Sequence, residues 1–397
     1  MSSRLVDPAM SCEAATPRLS PTYLWMTEAI GWSPGRCAVP TLANHRSSPL
    51  RAGRWQMLVL VAVVAAAGCS GAADTRSITR STQPPSATTG TGAAVPAFAR
   101  DRFAAVIPVP GAGSLAVAGG KVWVLGASGT VVGIDPATNT VVGEPLRVPA
   151  NAEAITVGDG ALWVASVVPG DLAAPHDDAV TRVDLATGRR VATITVRRAP
   201  LDVAAMPGAV WVTNSGGGGD SVARIDPQTN RVAGRPVTTG ASPQSLAVGG
   251  GSLWVANHDA RTVTRIDHVS GKVVADIPVP SEPHRVAYGA DAVWVGNWHD
   301  NSVSRVDPET NRVVGSPIPI GFRAGNLVAG AGGVWVTSDY RVNAAAEDVV
   351  VVRIDPQTNR AVETIAVGGH PIDIAATEGA IWVSVAAPGT VLRIAAS

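Results

Sequence analysis

Cysteine is scarce in this chain of 397 residues, and its three copies, Cys12, Cys37 and Cys69, all lie in the first 69 residues. Disulfides and cysteine-based metal sites are therefore excluded from the remainder. Aromatic residues are also few, at 4%, but eleven of them are Trp, against three Tyr and three Phe. Basic residues show no surplus, because Lys and Arg number 31 and so do Asp and Glu. The chain lacks the excess charge that holds nucleic-acid phosphates, and we expect no nucleic-acid partner.

Signature motifs of several enzyme classes are missing as well. The sequence contains no Gly-x-Ser-x-Gly, no Gly-Lys-Ser/Thr, no His-Glu-x-x-His and no Asp-x-Asp-x-Asp. The familiar nucleophile elbow, phosphate loop, zinc-protease helix and calcium loop are thus excluded. An apolar run from Met57 to Gly68 is too short to cross a bilayer as a helix.

A Trp followed by Val does return along the chain, at intervals of 40 to 48 residues. The repeated residues are Trp123, Trp163, Trp211, Trp254, Trp294, Trp335 and Trp382. A period of this length, built of short apolar runs between Gly, Pro and Asn turns, is typical of β-propeller blades. We therefore predict an all-β protein, a β-propeller with seven blades.

Each repeat divides into four antiparallel strands, named a to d; in residues 241–279 they are SLAVG, SLWVAN, TVTRID and KVVADIPV. Between c and d, four repeats carry Asp-Pro-x-Thr-Asn, at 135–139, 226–230, 307–311 and 355–359. Asp accepts backbone hydrogen bonds, Pro fixes φ, and Asn tolerates the left-handed conformation. We interpret these residues as hairpin closers and not as catalytic aspartates.

Strand c of five repeats has an Arg two residues before its final Asp. These are Arg182, Arg224, Arg265, Arg305 and Arg353. Residues two apart in a strand point to the same face. We expect a structural Arg–Asp ion pair within each blade, and not a basic binding stripe.

The two ends of the repeat region complement each other. The last copy, which ends in TVLRIAAS, has no strand d, whereas residues 103–109 form a spare strand of that type ahead of the first copy. We expect the N-terminal strand to complete the C-terminal blade and so close the ring, since closure removes exposed sheet edges. The propeller is thus predicted to occupy residues 101–397.

These repeats, for example VWVTN followed by SVARIDPQTNRV, resemble the YVTN-repeat β-propellers, with Trp in place of the motif Tyr. More distantly, the chain is similar to the streptogramin B (virginiamycin B) lyases, which are seven-bladed propellers. Where those enzymes commonly read Trp-Phe-Thr-Glu, this chain has Asn214, Asn257 and Asn297 in place of Glu. The resemblance implies the fold and assigns no catalytic residue.

The apolar run before Cys69 resembles the signal peptide of a bacterial lipoprotein. Ala66-Ala67-Gly68-Cys69 matches a lipobox, and Arg51 and Arg54 supply the positive region before the run. We predict a lipoprotein signal at 51–68 with lipid attachment at Cys69; a secretory signal cut elsewhere and a lone apolar segment are the alternatives. Residues 1–50 are then no part of the mature protein, and Met26 or a non-standard start at Val39 is an alternative start.

Residues 69–100 are rich in Ser, Thr, Pro, Gly and Ala, which is typical of a flexible tether. Removal of residues 1–68 lowers the basic count from 31 to 25 and the acidic count from 31 to 28, a net charge near −3. We thus expect a monomer anchored by lipid to the extracytoplasmic face of the cell membrane.

Because strand direction alternates, the d–a and b–c loops lie on one face of a propeller. Five of the seven histidines fall there: His176, His258, His284, His299 and His370. The residue that enters strand a differs between repeats: Ser114, Ala154, Asp202, Ser245, Arg285, Asn326 and Asp373. Variable polar residues on a fixed scaffold are typical of a specificity site. The predicted ligand-binding residues are Asp202, His258, Asp259, Arg285, Trp298, His299, Asp300 and Asp373.

Two functions fit this pattern. The first is a binding module for a protein, glycan or small ligand, without a cofactor. The alternative is a lyase or hydrolase of cyclic peptides or lactones, with His258, His284, His299 or His370 as the base and Mg²⁺ as a possible cofactor. A structural interpretation also stays open, because His-Asp is an ordinary turn sequence. The b–c insertions at 169–178, 216–219 and 340–348 decorate the same face.

Overall fold

The computed structural model describes residues 102–167, 178–197, 199–215, 220–339 and 349–396. Several predictions lie outside these residues: the boundaries at 50, 68 and 100, the predicted lipid-attachment site Cys69, His176 and most of the three b–c insertions. The regular elements of the described part are 30 β-strands. Within it there is no helix long and apolar enough to span a membrane.

The strands form seven antiparallel sheets in chain order, which confirms the predicted blades. Blade 1 contains β2 (Leu115–Ala118), β3 (Lys121–Gly126), β4 (Thr130–Asp135) and β5 (Thr140–Arg147). Blade 2 contains β6 (Ala152–Gly158), β7 (Ala161–Ser166), β8 (Ala179–Asp184) and β9 (Arg190–Thr195). Blade 3 contains β10 (Val203–Met206), β11 (Ala209–Asn214), β12 (Ser221–Asp226), β13 (Arg231–Val232) and β14 (Val237–Thr238). Blade 4 contains β15 (Pro243–Gly249), β16 (Ser252–Asn257), β17 (Thr262–Asp267) and β18 (Val273–Pro278). Blade 5 contains β19 (Pro283–Gly289), β20 (Ala292–Asn297), β21 (Ser302–Asp307), β22 (Arg312–Val313) and β23 (Ile318–Pro319). Blade 6 contains β24 (Ala324–Gly330), β25 (Gly333–Ser338), β26 (Val350–Asp355) and β27 (Arg360–Ala366). Blade 7 contains β28 (Pro371–Thr377), β29 (Ala380–Val385), β30 (Thr390–Ala395) and β1 (Phe103–Pro108).

Blade 7 is built from both ends of the repeat region. β1 pairs antiparallel with β30, from Phe103 opposite Ile394 to Pro108 opposite Thr390. The outer strand of this blade therefore comes from the start of the propeller and its inner three strands from the end.

Strand d is interrupted in blades 3 and 5. In each of them it consists of two short strands, β13 with β14 and β22 with β23, and both pieces pair with strand c. The interruptions contain Gly234 at φ +72° and Gly315 at φ +69°, and each is followed two residues later by Pro. A left-handed Gly turns the chain out of the sheet, and Pro offers no N–H to the ladder, so pairing breaks there.

The core lies between adjacent blades. Six of the seven repeated Trp side chains are at most 1% exposed, and Trp123 is 8% exposed. Trp163, for example, packs in one cluster with Val210 and Val212 of the next blade. In most blades the indole N–H donates to the backbone carbonyl five residues earlier, as Trp254 does to Gly249 at 3.1 Å. Because both faces of every blade are covered in this way, strand b is apolar on both sides.

The Asp-Pro-x-Thr-Asn turns close the c–d hairpins as predicted. Each Asp Oδ1 accepts the backbone N–H two residues on, at 2.8 Å, in Asp135, Asp226, Asp307 and Asp355. The Asn of each turn is left-handed, with φ between 53° and 58°, at Asn139, Asn230, Asn311 and Asn359. Hydrogen bonds from the turn lower the pKa of the half-buried Asp226, Asp307 and Asp355, and the nearby Arg of strand c adds to this effect.

Four of the strand c arginines bind the next blade, so the predicted ion pair within the blade is wrong where that contact forms. Arg265 stacks on its own blade's Trp254, 4.9 Å from the ring centroid. Its Nη1 donates to the Pro308 carbonyl and, at 2.8 Å, to Asn311 Oδ1, both in the turn of blade 5. We call this contact an arginine latch. It also joins Arg182 to blade 3, Arg305 to blade 6 and Arg393 to blade 1.

Candidate site at the channel mouth

Strand a lines the central channel, and it bulges as it enters the sheet. In blade 4, Pro243 lies opposite Asn257 and Ser245 opposite Ala256, which leaves Gln244 without a partner in the ladder. The same irregularity occurs in blades 2, 5, 6 and 7. A bulge re-aims side chains at the end of a strand. In blade 4 the residue after the unpaired Gln244 is Ser245, which is the variable residue that the sequence analysis found at the entry of strand a.

All seven variable residues line one cavity of about 280 Å³, which we call the channel mouth. They are Ser114, Ala154, Asp202, Ser245, Arg285, Asn326 and Asp373. Glu153, His284 and Asp339 also face the channel mouth. The sequence pattern thus identified a set of residues that the ring gathers at one place.

Two of the seven are carboxylates that connect neighbouring blades. Asp373 Oδ2 accepts the N–H of Leu115 in blade 1 at 2.8 Å, and its Oδ1 accepts the N–H of Ile374 at 2.8 Å. Asp202 likewise accepts the N–H of Leu246 in blade 4 and that of Val203 in its own blade, both at 2.8 Å. These carboxylates hold adjacent inner strands together, which is a structural role that the sequence did not indicate.

Other variable residues connect blades with neutral groups or with Arg. Ser114 Oγ accepts the N–H of Ile155 at 3.2 Å, and Ser245 Oγ accepts that of Val286 at 3.4 Å. Arg285 Nε donates to Asn326 Oδ1, and Asn326 Nδ2 donates to the Ile372 carbonyl. We call these contacts, together with those of Asp202 and Asp373, inner links. Ala154 has no polar group with which to form one.

Burial dominates the electrostatics of the two carboxylates. It raises the pKa of Asp373 from 3.8 to about 6, although two backbone N–H groups and Arg285 favour the charged form; the charge of Asp202 raises it as well. Burial also raises the pKa of Asp202, against the attraction of Arg285. Both side chains keep partial access to the channel. Two carboxylates and one guanidinium thus share a poorly solvated space.

An aromatic group lies on the loops beside the channel mouth. The Trp298 ring is 4.2 Å from the His284 ring and 5.8 Å from the His258 ring, both edge-on. The Arg323 guanidinium lies over Trp298 at 5.2 Å. We call these four residues, from blades 4 to 6, the rim cluster. His284 belongs to both the rim cluster and the channel mouth.

The remaining predicted site residues are dispersed. His258 Nδ1 lies 2.9 Å from Asp259 Oδ1. His299, Asp300 and His370 are exposed and do not line the channel mouth. The structure therefore brings together two of the four candidate catalytic histidines, through Trp298. In the described ranges no group of three or more His, Cys, Asp or Glu is arranged to hold a metal ion.

The sequence interpretation missed Asp339 and Arg323. Asp339 follows the end of strand b, as His258 and Trp298 do in blades 4 and 5, so alignment of the repeats at this position would have revealed it. Arg323 lies in a d–a loop with no motif around it. Its contact with Trp298 depends on how two blades meet.

No family model matches the chain, and no curated protein matches it. Solved structures do. The WD40 β-propeller domain of Doa1 is 12% identical with a TM-score of 0.58, over 75% of this chain and 97% of that one. A chain of a Mitotic Checkpoint Complex is 12% identical with a TM-score of 0.61, over 81% and 98%. The computationally designed Ika8 protein is 13% identical with a TM-score of 0.53, over 74% and 99%. At such identities the comparisons show the fold alone.

Proposed function

We propose that this protein is a binding module that holds its ligand on the d–a/b–c loop face, at the channel mouth and the rim cluster. The observation that carries the proposal is the gathering of all seven variable residues around one cavity. The rim cluster adjoins that cavity through His284. A fixed framework with one variable, concave face is the usual arrangement of a recognition surface. A protein segment, a glycan and a small molecule are the ligand classes considered.

The chemistry at the channel mouth supports binding over the lyase alternative. A general base must lie within hydrogen-bond reach of one reacting point together with its partner groups. Of the four histidines considered, His284 lines the channel mouth, whereas His299 and His370 are exposed elsewhere. Asp202 and Asp373 accept backbone N–H groups that connect blades. These contacts favour a rigid, preorganised cavity.

We further propose that the protein is exported and attached by lipid at Cys69 to the extracytoplasmic face of the cell membrane. The support is the lipobox-like sequence before Cys69 and the Ser/Thr/Pro-rich residues 69–100 that follow it. We also propose that the repeats are of the YVTN type, because VWVTN followed by SVARIDPQTNRV is similar to that motif.

The binding proposal is tested with arrays of glycans and of peptides, probed with the purified chain carrying Cys69→Ser to keep it free of lipid. A Trp298→Ala/Arg323→Ala variant alters the rim cluster. The matched control is His268→Ala/Val269→Ala in the c–d turn of blade 4, on the opposite face, where Val269 is 70% exposed.

We expect a retained ligand whose affinity falls at least about tenfold with the rim variant and is unchanged with the control; tenfold corresponds to about 1.4 kcal/mol. Equal binding by both variants, or no ligand on the glycan and peptide arrays and in a small-molecule thermal-shift screen, would contradict the proposal. A thermal-shift titration with Mg²⁺ examines the alternative: a saturable rise in Tm, lost in His258→Ala/His284→Ala, would favour the metal-assisted enzyme.

The anchoring proposal is tested in cells by radiolabelled palmitate. We expect label on the wild-type chain and none on Cys69→Ala, which should also leave the membrane fraction. Cys37→Ala is the matched control and should keep both properties. Label on Cys69→Ala would refute the assignment.

A further inference from the structure

Asp202, Arg285 and Asp373 come from three different blades and line the same cavity, the channel mouth. Arg285 attracts both carboxylates, and the Asp202 charge is felt at Asp373. Each carboxylate is also bound to two backbone N–H groups and cannot turn to solvent without breaking an inner link. The three side chains therefore act on one another from fixed positions.

The charges in this group do not balance. Two carboxylates and one guanidinium carry a net charge of −1 when all are ionised, and they lie where water is scarce. Burial disfavours the ionised form of each carboxylate, and repulsion between the two carboxylates disfavours ionisation of the second. The attraction of the single guanidinium does not offset both effects. The pair then releases its protons in two separate steps that belong to the pair as a whole.

The surroundings contain few groups that could balance the charge instead. The polar side chains around the set are the hydroxyls of Ser114, Ser245, Ser338 and Ser384, the amide of Asn326, and the titratable Glu153, His284 and Asp339. Of these, Glu153 and Asp339 are acidic and add to the negative potential. His284 is the only titratable base in the channel-mouth lining besides Arg285.

We propose that Asp202, Arg285 and Asp373 form a proton switch: the group takes up one proton between neutral and mildly acidic pH, and its charge changes from −1 to 0. The proton comes from solvent through the open channel mouth. At neutral pH the channel mouth then favours a cationic part of a ligand, and at mildly acidic pH it loses that preference. This ligand effect rests on the proposed binding function, whereas the uptake of the proton does not.

The uptake is measured without any ligand, by ¹³C NMR of the full chain labelled at aspartate carboxyls, titrated between pH 3 and 8. We expect one channel carboxyl with a midpoint close to 6. Asp202→Asn should move the Asp373 midpoint to lower pH, because a like charge is removed. Arg285→Gln should move it to higher pH, because the cation is lost.

Asp291→Asn is the matched control, since Asp291 is exposed in the a–b turn of blade 5 at a left-handed φ of 53° that Asn tolerates. It should leave the Asp373 midpoint unchanged. A merely structural Asp373 would not respond in opposite directions to the two channel variants. The proposal is overturned if both channel carboxyls of the wild type titrate below about pH 5, or if folded channel variants leave the midpoint unmoved. If neither variant folds, the wild-type midpoint decides.

Discussion

Four blade junctions of this propeller have the same contact on the face of the a–b and c–d turns, whereas the contacts in the channel differ from junction to junction. On the turn face, the arginine latch has the same donors and acceptors at junctions 2–3, 4–5, 5–6 and 7–1. In the channel, the inner links use a hydroxyl, a carboxylate, an amide or a guanidinium, depending on the junction. Repeated chemistry thus holds the ring on one side, and varied chemistry faces the cavity on the other.

Junction 7–1, where the two ends of the propeller meet, has both kinds of contact. Arg393 donates to the Pro136 carbonyl and to Asn139 Oδ1, each at 2.9 Å, while Asp373 binds the Leu115 N–H. Junction 1–2 has Gly133 where the other blades have Arg, and its inner link is the single Ser114 contact. Junction 7–1, which must form from distant parts of the chain, therefore has more of these hydrogen bonds than junction 1–2.

The largest expected effect concerns the buried Trp residues shared by all junctions. Trp254→Ala removes an indole that is fully buried and hydrogen-bonded, and it should lower the free energy of unfolding by about 3–5 kcal/mol. Trp123→Ala should cost less, because Trp123 is 8% exposed and its Nε1 has no hydrogen-bond partner. Denaturant unfolding of both variants gives the difference. Equal losses would contradict the blade-core explanation.

The second prediction compares a latched junction with an unlatched one. Arg393→Ala removes two hydrogen bonds from a charged donor and should destabilise the protein by about 1.5–3 kcal/mol. Arg224 also lies over its Trp, at 6.0 Å, but the next blade has Asp267-His268 where a latch needs Asp-Pro. Arg224→Ala should therefore cost less than about 1 kcal/mol. If the two variants melt at the same temperature, the latch adds no stability.

These latches could have been found in the sequence, but only by comparing neighbouring repeats. An Arg in strand c is followed by Asp-Pro-x-Thr-Asn in the next blade for Arg182, Arg265 and Arg305. Gly133, in contrast, precedes a blade whose turn lacks both Pro and Asn. Inspection of one repeat at a time suggested an ion pair with the nearby Asp, because period two alone cannot show what another blade presents.

Within a blade the sequence was sufficient. SLWVAN and TVTRID coincide with β16 and β17, since alternating apolar residues and turn residues are local signals. The split strands d were missed because a left-handed Gly near a Pro can also occur in a continuous strand, as Gly143 does in β5. Of the rim cluster, His258, His284 and Trp298 were predicted as site residues, whereas Arg323 was missed because its contact with Trp298 depends on how two blades meet.

A third prediction uses Asp373, the carboxylate at junction 7–1. With its pKa raised to about 6, folded Asp373 binds more protons than the unfolded chain between about pH 4 and 6, so its contribution to stability falls as pH rises through that interval. The fall should be about 1–2 kcal/mol. Asp373→Asn should remove this slope while Asp291→Asn keeps it, as measured by urea unfolding at several pH values. If the difference in stability between the wild type and Asp373→Asn rises with pH instead of falling, the inner link outweighs burial.

The smallest expected effect lies at junction 6–7, where Arg353 does not reach blade 7 and donates to the Gly332 carbonyl of its own blade. Arg102, just before β1, pairs there with Glu363 of β27, and the two side chains are 19% and 17% exposed. An ion pair with this much access to water should contribute about 0.2–1 kcal/mol. A double-mutant cycle with Arg102→Ala and Glu363→Ala measures it, and the more exposed Arg261–Glu282 pair, with Arg261 at 60%, is the control. A coupling energy larger than that of the control would mean that an outer ion pair replaces the missing latch. No coupling would leave junction 6–7 dependent on Asn326 and the packed core, as junction 1–2 depends on Ser114.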